Sequence, residues 1–100
     1  MADMDRLADE FNADMWQILE KEREFGWCST RFREMLETQR GVDVAHQLLK
    51  TNPTRPMFKE ARRLRRPDLV VEHYVCSPKY RDLFSEEERK AAKFRLDYGD

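Results

Sequence analysis

Over residues 3–25, Met4, Leu7, Ala8, Phe11, Met15, Ile18 and Leu19 recur at steps of three and four. That spacing places them on one face of a helix but on both faces of a strand, so it commits this whole segment to helix. Asp3, Asp5 and Asp9 lie near its start, where the positive end of the helix dipole favours them. Gly26 suits the left-handed turn that ends such a helix. Trp16 widens the apolar stripe. A stripe of this kind either faces the chain's own core or docks a partner. On the second reading Phe11, Met15 and Trp16 bind a larger protein or a second copy, and residues 1–26 form a separate interaction element.

The remaining segments are shorter but carry the same period. Ser29 is a candidate N-cap for a helix from about Thr30 to Arg40, with Phe32, Met35 and Leu36 inward and Gly41 at a left-handed stop. A third helix, Val42 to Lys50, follows at once and turns Val44, Ala45, Leu48 and Leu49 to the core; so short a break forces a corner. The clearest loop is TNPTRP at 51–56. Pro53 keeps Asn52 out of the helical region, and Thr54 can cap a fourth helix with Pro56 in its first turn. That helix carries Met57, Phe58, Ala61 and Leu64 on one side and ends at Pro67.

The densest apolar run is LVVEHYVC at 69–76, with Asp68 as its candidate cap. Its β-branched residues favour a strand. Val70, Val71, Tyr74 and Val75 nevertheless fall at i, i+1, i+4 and i+5, a helical face, and a short buried helix is the preferred reading. Ser77-Pro78 opens a one-turn helix through Leu83. Ser85 and Glu88 have the spacing of a capping box for a last helix that runs to about Tyr98, with Ala91, Ala92, Phe94 and Leu96 as apolar supply. The expected fold class is all-α, a compact multi-helix domain of five or six helices spanning 1–100 as a single domain.

One hundred residues leave no room for a cofactor domain beside a substrate domain. Two cysteines make no disulfide framework, three glycines make no glycine-rich phosphate loop, and no apolar run approaches a membrane span. Residues 1–20 are acidic and amphipathic, unlike a secretory signal, and the expected compartment is the reducing cytoplasm. The net charge of −1 conceals a strong segregation: residues 1–26 hold eight acids and three bases, whereas residues 55–66 hold six bases and one acid. A local field of that kind bears on partners, while the overall charge does not.

The six bases are Arg55, Lys59, Arg62, Arg63, Arg65 and Arg66. On a helix from 55 to 66, Lys59, Arg62, Arg63 and Arg66 step by three or four and share a face. Guanidinium forks match phosphate oxygens, so DNA or RNA is one expected partner of this ridge. A protein partner is the other. Carboxylates of the acidic first helix, Asp9, Glu20 or Glu24, would compete for the same bases.

Three catalytic or metal patterns are weaker. Cys28, His46, His73 and Cys76 supply the ligand types of a zinc site but lack the paired Cys-x2-Cys spacing. Pro67-Asp68 and Glu88-Arg89-Lys90 match the loose P-D…E-x-K pattern of metal-dependent nucleases, which needs Glu88 and Lys90 on a strand. Asp68, Glu72 and His73 stand within one turn, yet no nucleophile with an adjacent base accompanies them. The expectation is therefore a non-catalytic protein with no cofactor and no metal.

From Arg31 to Tyr98 the chain resembles a group of short, mostly uncharacterised prokaryotic helical proteins. The similarity lies in Arg31-Phe32 with Met35, Gly41-Val42 with Ala45 and Leu48-Leu49, Arg66-Pro67-Asp68-Leu69 with Val71-Glu72, and Leu83-Phe84 before the capping box. That group has paired glycines where this chain has Arg40-Gly41, and more leucine near Met57-Phe58. The resemblance implies a prokaryotic setting, associated with mobile elements or defence, and brings no activity or catalytic residue with it. The functional expectation is a small accessory protein that contacts nucleic acid through its basic helix, or an interaction subunit that docks through its first helix.

Overall fold

A computed structural model describes residues 2–50 and 56–98 of the chain. Among the described residues there are six α-helices: α1 (Ala2–Arg23), α2 (Thr30–Thr38), α3 (Gly41–Lys50), α4 (Pro56–Leu64), α5 (Val71–Val75) and α6 (Glu86–Tyr98). Two 3-10 turns, Pro67–Leu69 and Pro78–Leu83, flank α5, and no strand is present among these residues. The all-α expectation holds. Of the β-branched run at 69–76, Val71–Val75 is helical and Leu69 closes a 3-10 turn, while Val70 between them is extended; side chains claimed on several sides outweigh local strand preference over 71–75.

Helix ends show why the segments stop where they do. After α1, the Gly26 N–H donates to the Arg23 carbonyl and the Trp27 N–H to the Glu22 carbonyl, both at 3.1 Å. This is a Schellman stop, with Gly26 at φ +75° in the left-handed position. At α6 the capping box is reciprocal: the Glu88 N–H donates to Ser85 Oγ (3.1 Å) and the Ser85 N–H to Glu88 Oε1 (2.9 Å). Pro56 stands first in α4, where its missing N–H costs nothing. Thr54, its expected cap, lies outside the described residues.

Three local expectations are corrected. Gly41 does not end α2 in a left-handed turn; it begins α3. Its backbone passes so close to α1 that a Cβ there would meet Asn12 Cα and Met15 Cγ at 2.9 Å, and its N–H donates to Asn12 Oδ1 at 2.7 Å. Asp68 caps nothing, because it lies inside the first 3-10 turn and its carboxylate faces Arg66. Ser29 precedes α2 but its hydroxyl donates to Glu22 rather than to the helix it starts.

Two groups of buried side chains make the core. The larger is built on Phe11, Met15 and Ile18 of α1, Val44, Ala45 and Leu49 of α3, Val71 and Val75 of α5, and Tyr80, Phe84 and Ala92. Phe11 sits edge-on to Tyr80 at a centroid distance of 5.0 Å and tilted against Phe84 at 5.2 Å. The smaller group joins Phe58 and Ala61 of α4 to Leu69 and Val70, with Trp27, Leu64 and Leu96 around them. Residues 69–75 thus feed both groups, Leu69 and Val70 one and Val71 and Val75 the other.

An ion pair crosses this apolar interior. Glu72 and Arg95 are both buried, and Arg95 Nη1 donates to Glu72 Oε2 at 3.2 Å. The same guanidinium donates to the carbonyls of Leu48 and Leu49, each at 2.7 Å. Those carbonyls belong to the last turn of α3, whose acceptors lack partners within the helix. One arginine of α6 therefore caps α3 and neutralises an acid of α5.

Two expectations follow for stability. Arg95→Met keeps the apolar stem but leaves a buried acid without its guanidinium, and should cost about 3–5 kcal/mol in urea unfolding at neutral pH. Gly41→Ala overpacks the contact between α3 and α1, and should cost about 1–3 kcal/mol in the same measurement.

Candidate interaction surface

The basic segment is built on α4, where Phe58 and Ala61 face the smaller core group and the charged residues are left on the outside. The helix stops at Leu64, two residues earlier than the periodicity suggests. Arg65 takes φ +57°, the Arg65 N–H donates to Arg62 O (3.1 Å) and the Arg66 N–H to Ala61 O (2.8 Å). This is again a Schellman stop, now with an arginine where glycine is usual, at a steric cost of about 1 kcal/mol. Arg66 is accordingly off the helix, and the single face expected to unite Lys59, Arg62, Arg63 and Arg66 loses its last member.

The cations divide into two sets. Arg66 makes a two-pronged contact with Asp68, Nε to Oδ1 and Nη2 to Oδ2, both at 2.9 Å. Lys21 reaches the same carboxylate at 3.4 Å. The Arg66 hydrogen bonds, with Lys21 in support, hold the Asp68 carboxyl down at about 2. Arg66 also lies over the ring of Phe25 at 5.3 Å. Arg63 binds Glu60 one turn back, at 2.8 and 3.2 Å. These two arginines are neutralised within the chain. Lys59, Arg62 and Arg65 are exposed and form no ion pair among the described residues, Lys59 adding only a field at Glu60. Arg55 lies outside the described residues.

The acids of α1 do not cover the ridge. Asp9 pairs with Arg40 (3.4 Å) and Glu20 with Arg23 (3.8 Å). Glu24 adds only a field at Arg66. What α1 contributes here is a cation, Lys21, and the turn after it adds the half-exposed ring of Phe25.

Beside the free cations is a hollow of about 210 Å³ walled by Phe58, Ala61, Pro67, Val70 and Leu96, with Arg62 and Arg65 among its lining. Arg62 is steadied there, since its Nη2 donates to the Leu96 carbonyl in the last turn of α6 at 3.1 Å. An apolar recess with arginines at its edge is the make-up of a protein interface anchor.

The other expected docking face is corrected by burial. Phe11 and Met15 are 0 % exposed, locked between α3, α5 and the Tyr80 turn, so they offer nothing to a partner. Trp16 is half-buried against the same core. The stripe that marks α1 as helical is spent inside the molecule.

The remaining motifs are dispersed. Among the described residues no three His, Cys, Asp or Glu side chains are grouped to hold a metal ion. His46 pairs through Nδ1 with Glu88, while His73 meets Tyr74 edge-on. Cys28 is exposed, and burial pushes the Cys76 thiol up, away from nucleophilic thiolate. Asp68 is tied to Arg66 and Glu88 to Ser85, while Lys90 pairs with Glu86, so the nuclease-like trio is not assembled. Glu72 faces Arg95 rather than a reacting group.

Sequence reasoning missed the Glu72–Arg95 pair. A signal for it existed: Glu72 interrupts the densest apolar run, and Arg95 falls on the helical face of Ala92.

No family model, no curated protein and no solved structure matches this chain.

The depressed carboxyl of Asp68 gives a direct check on the Arg66 contact. A group lowered on folding adds stability that is complete above its ordinary range near 3.8 and is lost as pH falls toward about 2. Carboxyl-carbon NMR should place the Asp68 midpoint near 2, and Arg66→Gln should move it up toward the ordinary value.

Proposed function

We propose that this chain is a non-catalytic interaction protein that docks an acidic segment of a partner protein on the face of α4. The observation that carries this reading is the hollow beside Arg62 and Arg65, an apolar recess whose cations no carboxylate of the described residues occupies. An acidic segment with one apolar side chain would place that side chain in the recess and its carboxylates against the guanidinium groups. The Arg62 bond to Leu96 O favours this, because it holds the side chain in place before a partner arrives.

Nucleic acid is the second reading, favoured by the shared exposure of Lys59, Arg62 and Arg65. With Arg63 and Arg66 already paired, about three phosphate contacts remain, for a salt slope of about −2.7 on duplex DNA. That is a thin basis for a binder whose net charge is −1.

The test uses three labelled probes in fluorescence anisotropy: an acidic peptide with a central leucine, the same peptide with leucine replaced by serine, and a DNA oligonucleotide in single-stranded and duplex form. The leucine peptide should bind best, and Arg62→Glu should weaken it at least about tenfold. Arg65→Gly removes a cation while relieving the left-handed strain, so it should weaken binding without lowering thermal stability. Equal binding of both peptides would remove the recess from the account, and preference for an oligonucleotide would establish the second reading in place of the first.

A further inference from the structure

A second and larger hollow, of about 350 Å³, is bounded in part by Leu69, Val70 and Val71. Ile18, Phe32, Leu48 and Val71 give it apolar walls, Trp27 an aromatic one, and the exposed Cys28 and Thr30 stand at its mouth. Its volume is many times that of a water molecule, and it falls within the range of small-molecule sites.

One acid belongs to this wall. Glu22 is 2 % exposed. Its Oε2 accepts from the Ser29 hydroxyl at 2.7 Å, while Oε1 is sealed from water and has no hydrogen-bond partner. Burial raises its carboxyl above the ordinary range. An acid left half-satisfied in an apolar setting is costly, and native chains satisfy nearly all such groups. The Schellman stop at Gly26 does not need this side chain, because it uses only the Glu22 carbonyl. The carboxyl thus lines the hollow with one oxygen unpaired, and a ligand that enters reaches that oxygen once the side chains over it give way.

We infer that this hollow binds a small, largely apolar molecule bearing one basic amine, whose ammonium donates to Glu22. A neutral hydroxyl would satisfy the orphan oxygen but leave a buried charge uncompensated; an ammonium does both, through a charge-assisted bond. The aromatic wall of Trp27 suits a cation as well. Among the described residues Arg31 is the one cation on the lining, and it is exposed. Of the described lining, Val70 alone is shared with the α4 hollow, and the two tests use different ligands, so the two readings stand or fall independently.

The test is NMR titration of the full-length ¹⁵N-labelled chain with tryptamine, phenethylamine and hexylamine, each against its matched carboxylate. At least one amine should shift the amides of Trp27 to Phe32 with a Kd near about 1 mM, as ligands of this size allow. The matched carboxylates should bind at least about tenfold more weakly, and Glu22→Gln should weaken the amine by about the same factor. Thr30→Trp, at an exposed position on the mouth, should block entry and serves as the second variant should Glu22→Gln unfold. The inference is overturned if none of the three amines binds by about 10 mM, if carboxylates bind as well, or if both variants bind like the parent chain.

Discussion

The guanidinium of Arg95 is the point on which three helices depend. It spans α6 to α3 through two carbonyls and α6 to α5 through Glu72, with both charged side chains buried. Buried ion pairs of this kind seldom add net stability over well-packed apolar side chains. Their effect here is geometric. A guanidinium offers its donors in a fixed plane, so satisfying the Leu48 and Leu49 carbonyls and Glu72 together fixes how the end of α3 is set against α5 and α6. A purely apolar contact would tolerate sliding, and this one does not.

That setting in turn decides what the surface presents. Once α5 is held, Leu69 and Val70 are fixed beneath α4, and α4 is left with Phe58 and Ala61 down and its bases outward. The division of the cations then follows from backbone geometry. Arg66 leaves the helix at the left-handed Arg65 and meets Asp68 two residues on, whereas Arg62 stays on the helix and reaches α6. The free and the neutralised arginines are thus sorted by where one helix ends. A non-glycine residue in that position is sterically disfavoured.

Features written in neighbouring residues could be read directly. Gly26 as a stop, the Ser85–Glu88 capping box, Pro56 at the start of α4 and the short helix over Val71–Val75 all rest on bonds or spacings within about five positions, although Val70, expected on the same helical face, is extended and lies outside it. Phe11 and Met15 were legible as one face of a helix but not as core rather than interface, because both uses share one period. Gly41, Asp68 and Ser29 were misread for a common reason. Each has a familiar local role, and each is used for a tertiary contact instead, with Asn12 and Met15, with Arg66 and Lys21, and with Glu22. The two hollows could not be seen at all, since each is the space left between elements far apart in the chain.

The seam at residues 69–75 carries a consequence of its own. Adjacent side chains there, Val70 and Val71, are assigned to different interiors. Replacing either with another apolar residue alters one interior only. Inserting or deleting a single residue moves each side chain of the run into its neighbour's place, pulling Glu72 from its arginine in the same step. The stretch should thus accept changes of letter far more readily than changes of length, and that asymmetry would be visible in any library of variants that samples both.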